Sequence, residues 1–370
     1  MKVALNVRSF ENRGGIGRYA RALAQNLIAH YPNDFFYLFS NSDTDISFLP
    51  PGKNWKFVPL GGFSNRLLWE RYSLAKAVND LKPDIFHNPD YTVPHRIKAP
   101  CVVTVHDLSF KYFPGGVSLK ARVLYNALTP QSVRKARLVI ADSKFTKNEI
   151  IRAGWKSKSD IRVVHPGVND TYFDQVPDDE LNLVMKEYEL EPGYILYLGA
   201  LDKRKNITTL VQAYSQMKYK LKKVPRLVLA GEDIGAGSEI TSLVLQLGIG
   251  DDVKRIGYIP PERLKAIYSC ARIFVFPSHY EGFGLPPLEA MACGVPVIVS
   301  DKASLPEVVG DAGICASIDT AEGLAESMEL LLTDKETHSE LSRKGKIRAK
   351  TFTWRKVADE IMDVYKEIVE

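Results

Sequence analysis

Cysteine is scarce in this chain: there are four in 370 residues (Cys101, Cys270, Cys293 and Cys315), widely spaced and without a C-x-x-C pair. Scattered among apolar neighbours, they read as buried free thiols and supply neither a disulfide framework nor a zinc site. Long apolar runs are also missing, and nothing approaches the roughly 18–20 residues of a spanning helix. The N-terminal MKVALNVRSF is too short and too alternating for a signal peptide and reads as a first strand, so a cytoplasmic protein is expected. There is no repeat of 20–50 residues and no low-complexity segment. The acid pairs Asp43/Asp45 and Asp178/Asp179 fall in expected loops with no hydrophobic strand leading into them; they read as solvated turns, and no metal is expected.

What is present is the composition of an ordinary soluble protein, 45% hydrophobic and 25% charged. Its length exceeds that at which one core usually stops growing, so two domains are expected. The net charge of +5 hides an asymmetry: residues 1–170 carry 25 Lys and Arg against 13 Asp and Glu, and the remainder carries 24 against 31. A basic first half points to an anionic partner, either a membrane leaflet or a phosphorylated acceptor, although exposed basic helices also serve solubility.

Short apolar strands alternate with longer amphipathic stretches, the pattern of a doubly wound α/β protein. KVALNV, FFYLFS, KFVPL, DIFHN, CVVTVHD and RLVIADS read as strands in the first half; YILYLGA, RLVLAGE, VKRIGYI, RIFVFPS, VPVIVSD and GICAS do so in the second. The stretch His165 to Glu180, rich in Pro, Gly and Asp, reads as the junction. Thr351 to Val369 repeats apolar residues at helical spacing.

The segment Pro277 to Asp301, PSHYEGFGLPPLEAMACGVPVIVSD, carries the chemistry. Glu281 and Glu289 bracket a Gly/Pro turn that opens a helix, between the strand patterns ARIFVFPS and VPVIVS. Gly282 and Gly284 let backbone approach a ligand, and unpaired N–H groups at a helix start favour an anion. The carboxylates are then placed to accept hydrogen bonds from hydroxyls, at the carboxyl end of a parallel strand. In isolation such a turn could equally be a solvated helix start.

YEGFGLPPLEAMACGVPVI resembles the donor-site signature of retaining glycosyltransferase family 4, mannosyltransferase-like group 1 enzymes with the GT-B fold. RGGIGRY (Arg13 to Tyr19), VTVHDL (Val103 to Leu108), YLGALDKRKN (Tyr197 to Asn206) and LAGE (Leu229 to Glu232) resemble its other segments in the required order, from end to end of the chain. The resemblance implies two Rossmann-like domains with parallel sheets facing across a cleft. The acceptor-side domain would comprise 1–170 plus 352–370, the terminal helix crossing back, and the donor-binding domain 171–351.

It further implies a metal-independent enzyme whose co-substrate is a nucleotide-diphosphate sugar. Cationic side chains stabilise the charge that develops on the leaving oxygen. Arg204 and Lys205 are the implied cations; some members carry Arg where this chain has Ala200, so that Arg204 becomes the implied guanidinium here. Gly14, Gly15 and Gly17 would lie against the diphosphate when the cleft closes. His106 would stand near the reacting carbon, with Asp107 supporting it. Glu281 would accept from sugar hydroxyls and Glu289 from ribose hydroxyls, while Gly282, Phe283, Gly284 and Leu285 would meet the diphosphate. Gly231, Tyr258 and Ile259 would border the base. His106, Glu281, Arg204 and Lys205 form the implied catalytic set.

The expected activity is retaining transfer of a hexosyl unit, with GDP-mannose the leading donor and UDP-hexoses next, to a lipid-linked or polysaccharide acceptor in cell-envelope glycan synthesis. No nucleic acid is expected as partner. Contact with the acceptor, or peripheral contact with the inner face of a membrane, is expected at Phe63 to Val78 and Phe110 to Leu128, whose amphipathic spacing also fits core packing. A non-catalytic nucleotide-sugar-binding protein is the reading from another class, and UDP-N-acetylglucosamine 2-epimerases, which share the fold, lack the EGFGLPPLEAMA segment.

Overall fold

The computed structural model describes residues 1–12, 14–113, 118–221 and 223–370; Arg13 of the RGGIGRY segment and residues 114–117 of the 110–128 segment lie outside it. The chain divides into two units, Met1–Gly167 with Thr353–Glu370, and Val168–Phe352.

In the first unit seven parallel strands, β1 (Lys2–Asn6), β2 (Phe35–Ser40), β3 (Trp55–Pro59), β4 (Ile85–Asn88), β5 (Cys101–Val105), β6 (Leu138–Ala141) and β7 (Ile161–Val163), stand in the order β3-β2-β1-β4-β5-β6-β7. The order reverses between β1 and β4, where open α/β sheets bind ligands outside the strand carboxyl ends. Strands β4, β5 and β6 are buried at every position, as expected of a parallel sheet covered on both faces. Alternation along β1 sends Val3 and Leu5 into one core cluster and Ala4 into another, one on each side of the sheet. Among the described residues β7, only three residues long, is the one strand of this unit that the sequence patterns do not predict.

The terminal helix Trp354–Val369 belongs to this first unit. The Thr353 hydroxyl caps it by accepting from the Lys356 N–H at 3.2 Å, and Val357, Ala358, Ile361, Met362, Val364 and Tyr365 form its buried face. That face joins the cluster containing Leu23, Leu27 and Ile28 of the helix Gly15–His30. Tyr31, just past that helix, donates its hydroxyl to Asp359 at 2.6 Å.

The second unit holds six parallel strands, β8 (Tyr194–Leu198), β9 (Leu227–Ala230), β10 (Val253–Gly257), β11 (Ala271–Phe276), β12 (Val297–Ser300) and β13 (Ile314–Ala316), in the order β10-β9-β8-β11-β12-β13. All six match sequence patterns, and the reversal falls between β8 and β11. Among the described residues a single core cluster serves the unit. A further helix, Asp178–Glu187, starts at the end of the Pro/Gly/Asp-rich junction, ahead of β8.

Candidate active site

In the second unit the loops that follow β8 and β11 are tied to each other at the reversal point. After β8 the chain makes one short turn, Lys203–Lys205, in which Asp202 accepts from the Arg204 N–H at 3.1 Å. The His279 N–H donates to the Arg204 carbonyl at 2.9 Å, and Arg204 Nη1 donates to the Tyr280 carbonyl at 2.6 Å. Lys205 Nζ lies 2.5 Å from Glu281 Oε1 and 4.9 Å from the centroid of the Phe276 ring; Arg204 Nη1 lies 3.4 Å from Glu281 Oε2. Ser304 donates its hydroxyl to the Glu281 and Phe283 carbonyls at 2.9 and 2.7 Å, which holds the turn that opens the helix Leu285–Ala292.

Two cations therefore converge on Glu281, all three largely buried, and Arg204 Nε also lies 3.6 Å from the buried Asp202 Oδ2. Burial by itself raises the Glu281 carboxyl, but Lys205 and Arg204 outweigh it and hold Glu281 below the usual carboxylate range. Burial, with Arg204 close by, pulls the Lys205 ammonium below its ordinary value against the attraction of Glu281. The guanidinium and ammonium donors stand beside the start of a helix, which suits an anion that takes them over from the carboxylates.

The remaining residues of this unit take different places. Gly284 is the N-cap residue of Leu285–Ala292, with Gly282 and Phe283 in the turn before it. Phe283 packs edge-on against Phe352 at 5.8 Å. Glu289 is only 1% exposed, and its Oε2 accepts from the buried Tyr268 hydroxyl at 3.0 Å. Gly231, at φ +135°, is a packing position: a Cβ there would stand 2.0 Å from the Gly199 carbonyl oxygen. Ile259 is buried in the core, whereas Tyr258 beside it is exposed.

In the first unit Gly14 and Gly15 open the helix that follows β1, and the Gly14 N–H donates to Asn12 Oδ1 at 2.7 Å. Gly17 is required by close approach, since a Cβ would lie 1.8 Å from the Asn12 carbonyl oxygen. His106 follows β5 with its ring turned inward: Nδ1 lies 2.7 Å from Asp142 Oδ2 and Nε2 3.1 Å from the Pro89 carbonyl oxygen. Its own carbonyl accepts from the Thr146 hydroxyl at 3.2 Å. Asp107 accepts from the Ser109 N–H, the Ser109 hydroxyl and the Tyr91 hydroxyl.

Asp142, Ser304 and Tyr268, which hydrogen-bond to His106, Glu281 and Glu289, were not singled out from the sequence. Asp142 had a signal: β5 and β6 pair in parallel with Val105 opposite Ala141, so the residues after them, His106 and Asp142, stand side by side. Among the described residues no helix is long and apolar enough to cross a membrane.

Residues 13–172 match the description Glycosyltransferase Family 4, and residues 184–348 match Glycosyl transferases group 1. The chain is 33% identical over 372 residues to O-antigen chain mannosyltransferase B of Escherichia coli, covering 95% of this chain and 96% of that one. Its fold is that of sucrose-phosphate synthase from Thermosynechococcus elongatus, with a TM-score of 0.79, 24% identity and coverage of 100% and 99%. Anabaena Alr3699/HepE, solved in complex with UDP and glucose, superposes with a TM-score of 0.76 at 17% identity, covering 99% of this chain and 100% of that one. With both parts of the chain matched and a full-length relative at this identity, the protein belongs to the group 1 glycosyltransferases of family 4, of GT-B fold.

Proposed function

We propose that the protein transfers mannose from GDP-mannose, with retention and without a metal ion, to a lipid-linked glycan of the O-antigen type. The observation that carries the reading is the buried Lys205–Glu281–Arg204 cluster beside the Leu285–Ala292 helix start. The full-length likeness to O-antigen chain mannosyltransferase B supports mannose and an envelope glycan. The neighbour solved with UDP and glucose keeps a UDP-hexose as the second reading of the donor.

In this proposal the donor diphosphate takes up the charge of Lys205 and Arg204, and the backbone of 282–285 donates to it. As the bond between the sugar's anomeric carbon and the diphosphate oxygen breaks, the cations stabilise the charge left on that oxygen. The acceptor oxygen forms the new bond on the same face, and its proton passes to the departing oxygen, so the products are the extended glycan and GDP. This route depends on positioning and charge, not on a carboxylate pair at glycosidase spacing. Glu281 receives sugar hydroxyls, and Glu289 receives the ribose hydroxyls in place of Tyr268.

The same proposal seats the first unit on an anionic membrane that presents the acceptor. Leu119 and Val123, 74% and 63% exposed, stand one helical turn apart beside Lys120 and Arg122, and Arg71 and Arg96 lie against the exposed Tyr72 ring. Calorimetric titration with GDP-mannose, UDP-glucose, UDP-N-acetylglucosamine and dTDP-rhamnose in EDTA tests the donor. Saturable binding of GDP-mannose is expected; preference for a UDP sugar would replace mannose, and loss of binding in EDTA would overturn the metal-free reading.

A further inference from the structure

Two histidines are buried on neighbouring strands of the first unit, and their partners differ in kind. His87, on β4, meets two hydroxyls, Tyr365 at 2.6 Å and Thr104 at 2.9 Å. A hydroxyl can donate or accept, so a neutral ring satisfies both contacts in either tautomer. His106, 8% exposed, meets two acceptors, the Asp142 carboxylate and the Pro89 carbonyl. A neutral imidazole has one N–H and cannot donate to both; with Asp142 ionised, the ring must carry two protons.

We infer that Asp142 and the Pro89 carbonyl hold His106 as a doubly protonated imidazolium, a fixed cation at the carboxyl edge of the first sheet that cannot take the acceptor's proton. The groups that face it fit this state. Asp142 comes from the end of β6, and Asp90 from the loop after β4 adds a second negative charge, itself paired with Arg66 at 2.6 Å. The Tyr19 and Tyr91 rings contact the imidazole edge-on at 4.9 and 5.8 Å. Burial favours the neutral ring, but the Asp142 carboxylate outweighs it, raising His106 to about 9. His87, which has no such partner, is pushed by burial down to about 3 and stays neutral. Asp142 is thus a positioning residue that acts through His106, and the catalytic consequence rests on the glycosyltransfer reading above.

The decisive experiment is nitrogen-15 NMR of the full-length protein labelled at histidine, with the His106 signals assigned by their loss in H106Q. Both ring nitrogens should remain protonated through pH 8 and titrate near pH 9. In D142N the amide can donate to Nδ1 while Nε2–H keeps the Pro89 carbonyl, so the ring stays in place but loses its charge at pH 7. Turnover of GDP-mannose by D142N should then fall about 10–100-fold in kcat with little change in KM, and D142E should recover most of it. An unprotonated ring nitrogen in the wild-type protein at pH 7, or wild-type kcat in D142N, overturns the inference. Failure of GDP-mannose to turn over at all would count against the donor alone, since the nitrogen signals decide the protonation state independently.

Discussion

Lys205 and Glu281 are each costly to bury alone, so each makes the other tolerable. Removing the cation exposes the role of the pair: Lys205→Ala should weaken donor affinity about 10–100-fold by calorimetry, because the diphosphate loses a charge-assisted partner. Glu289→Ala should also weaken the donor if ribose hydroxyls displace Tyr268 there; lower thermal stability with unchanged affinity would assign Glu289 to packing instead. His106 gives a pH dependence whose sign follows from its raised value. The His106–Asp142 pair contributes its full stabilisation below about pH 6.5 and loses it as pH rises through about 9, a difference on the order of 3 kcal/mol. Melting temperature should therefore fall between pH 7 and 10 in the wild-type protein, with that slope reduced in Asp142→Asn. Glu281 and Lys205 were legible in the sequence because short motifs at strand ends carry them. Tyr268, 21 residues from Glu289, and Asp142, 36 residues from His106, were not, since only strand register and helix packing bring them together.

At the scale of elements, the glycine-rich loop after β1 offers a paired test. Gly17→Ala would drive a methyl group into the Asn12 carbonyl and should cost about 2–3 kcal/mol in denaturant unfolding. Gly15→Ala has open space around its Cβ and should leave stability unchanged within about 0.5 kcal/mol. The strands were readable because a buried parallel sheet is written as uninterrupted apolar runs, as in CVVTV and LVIA. β7 escaped because three residues make no pattern, and the π-helical turn Trp69–Leu74 escaped because apolar spacing does not separate it from the helix Ala75–Leu81 that continues it.

For the whole molecule, the basic first half and acidic second half give charge a direction along the chain. If the first unit docks on an anionic leaflet through Leu119, Val123 and the lysines and arginines around them, the full-length protein should sediment with phosphatidylserine-containing vesicles and not with neutral ones. Leu119→Glu with Val123→Glu should abolish that binding while leaving donor affinity intact. The central claim is that the cation cluster of the second unit binds a nucleotide-diphosphate sugar, and the most direct measurement is calorimetric titration of wild-type protein and Lys205→Ala with GDP-mannose in EDTA. The account predicts saturable binding that weakens at least tenfold in the variant, with the fold intact by circular dichroism; equal affinity in the two proteins would contradict it.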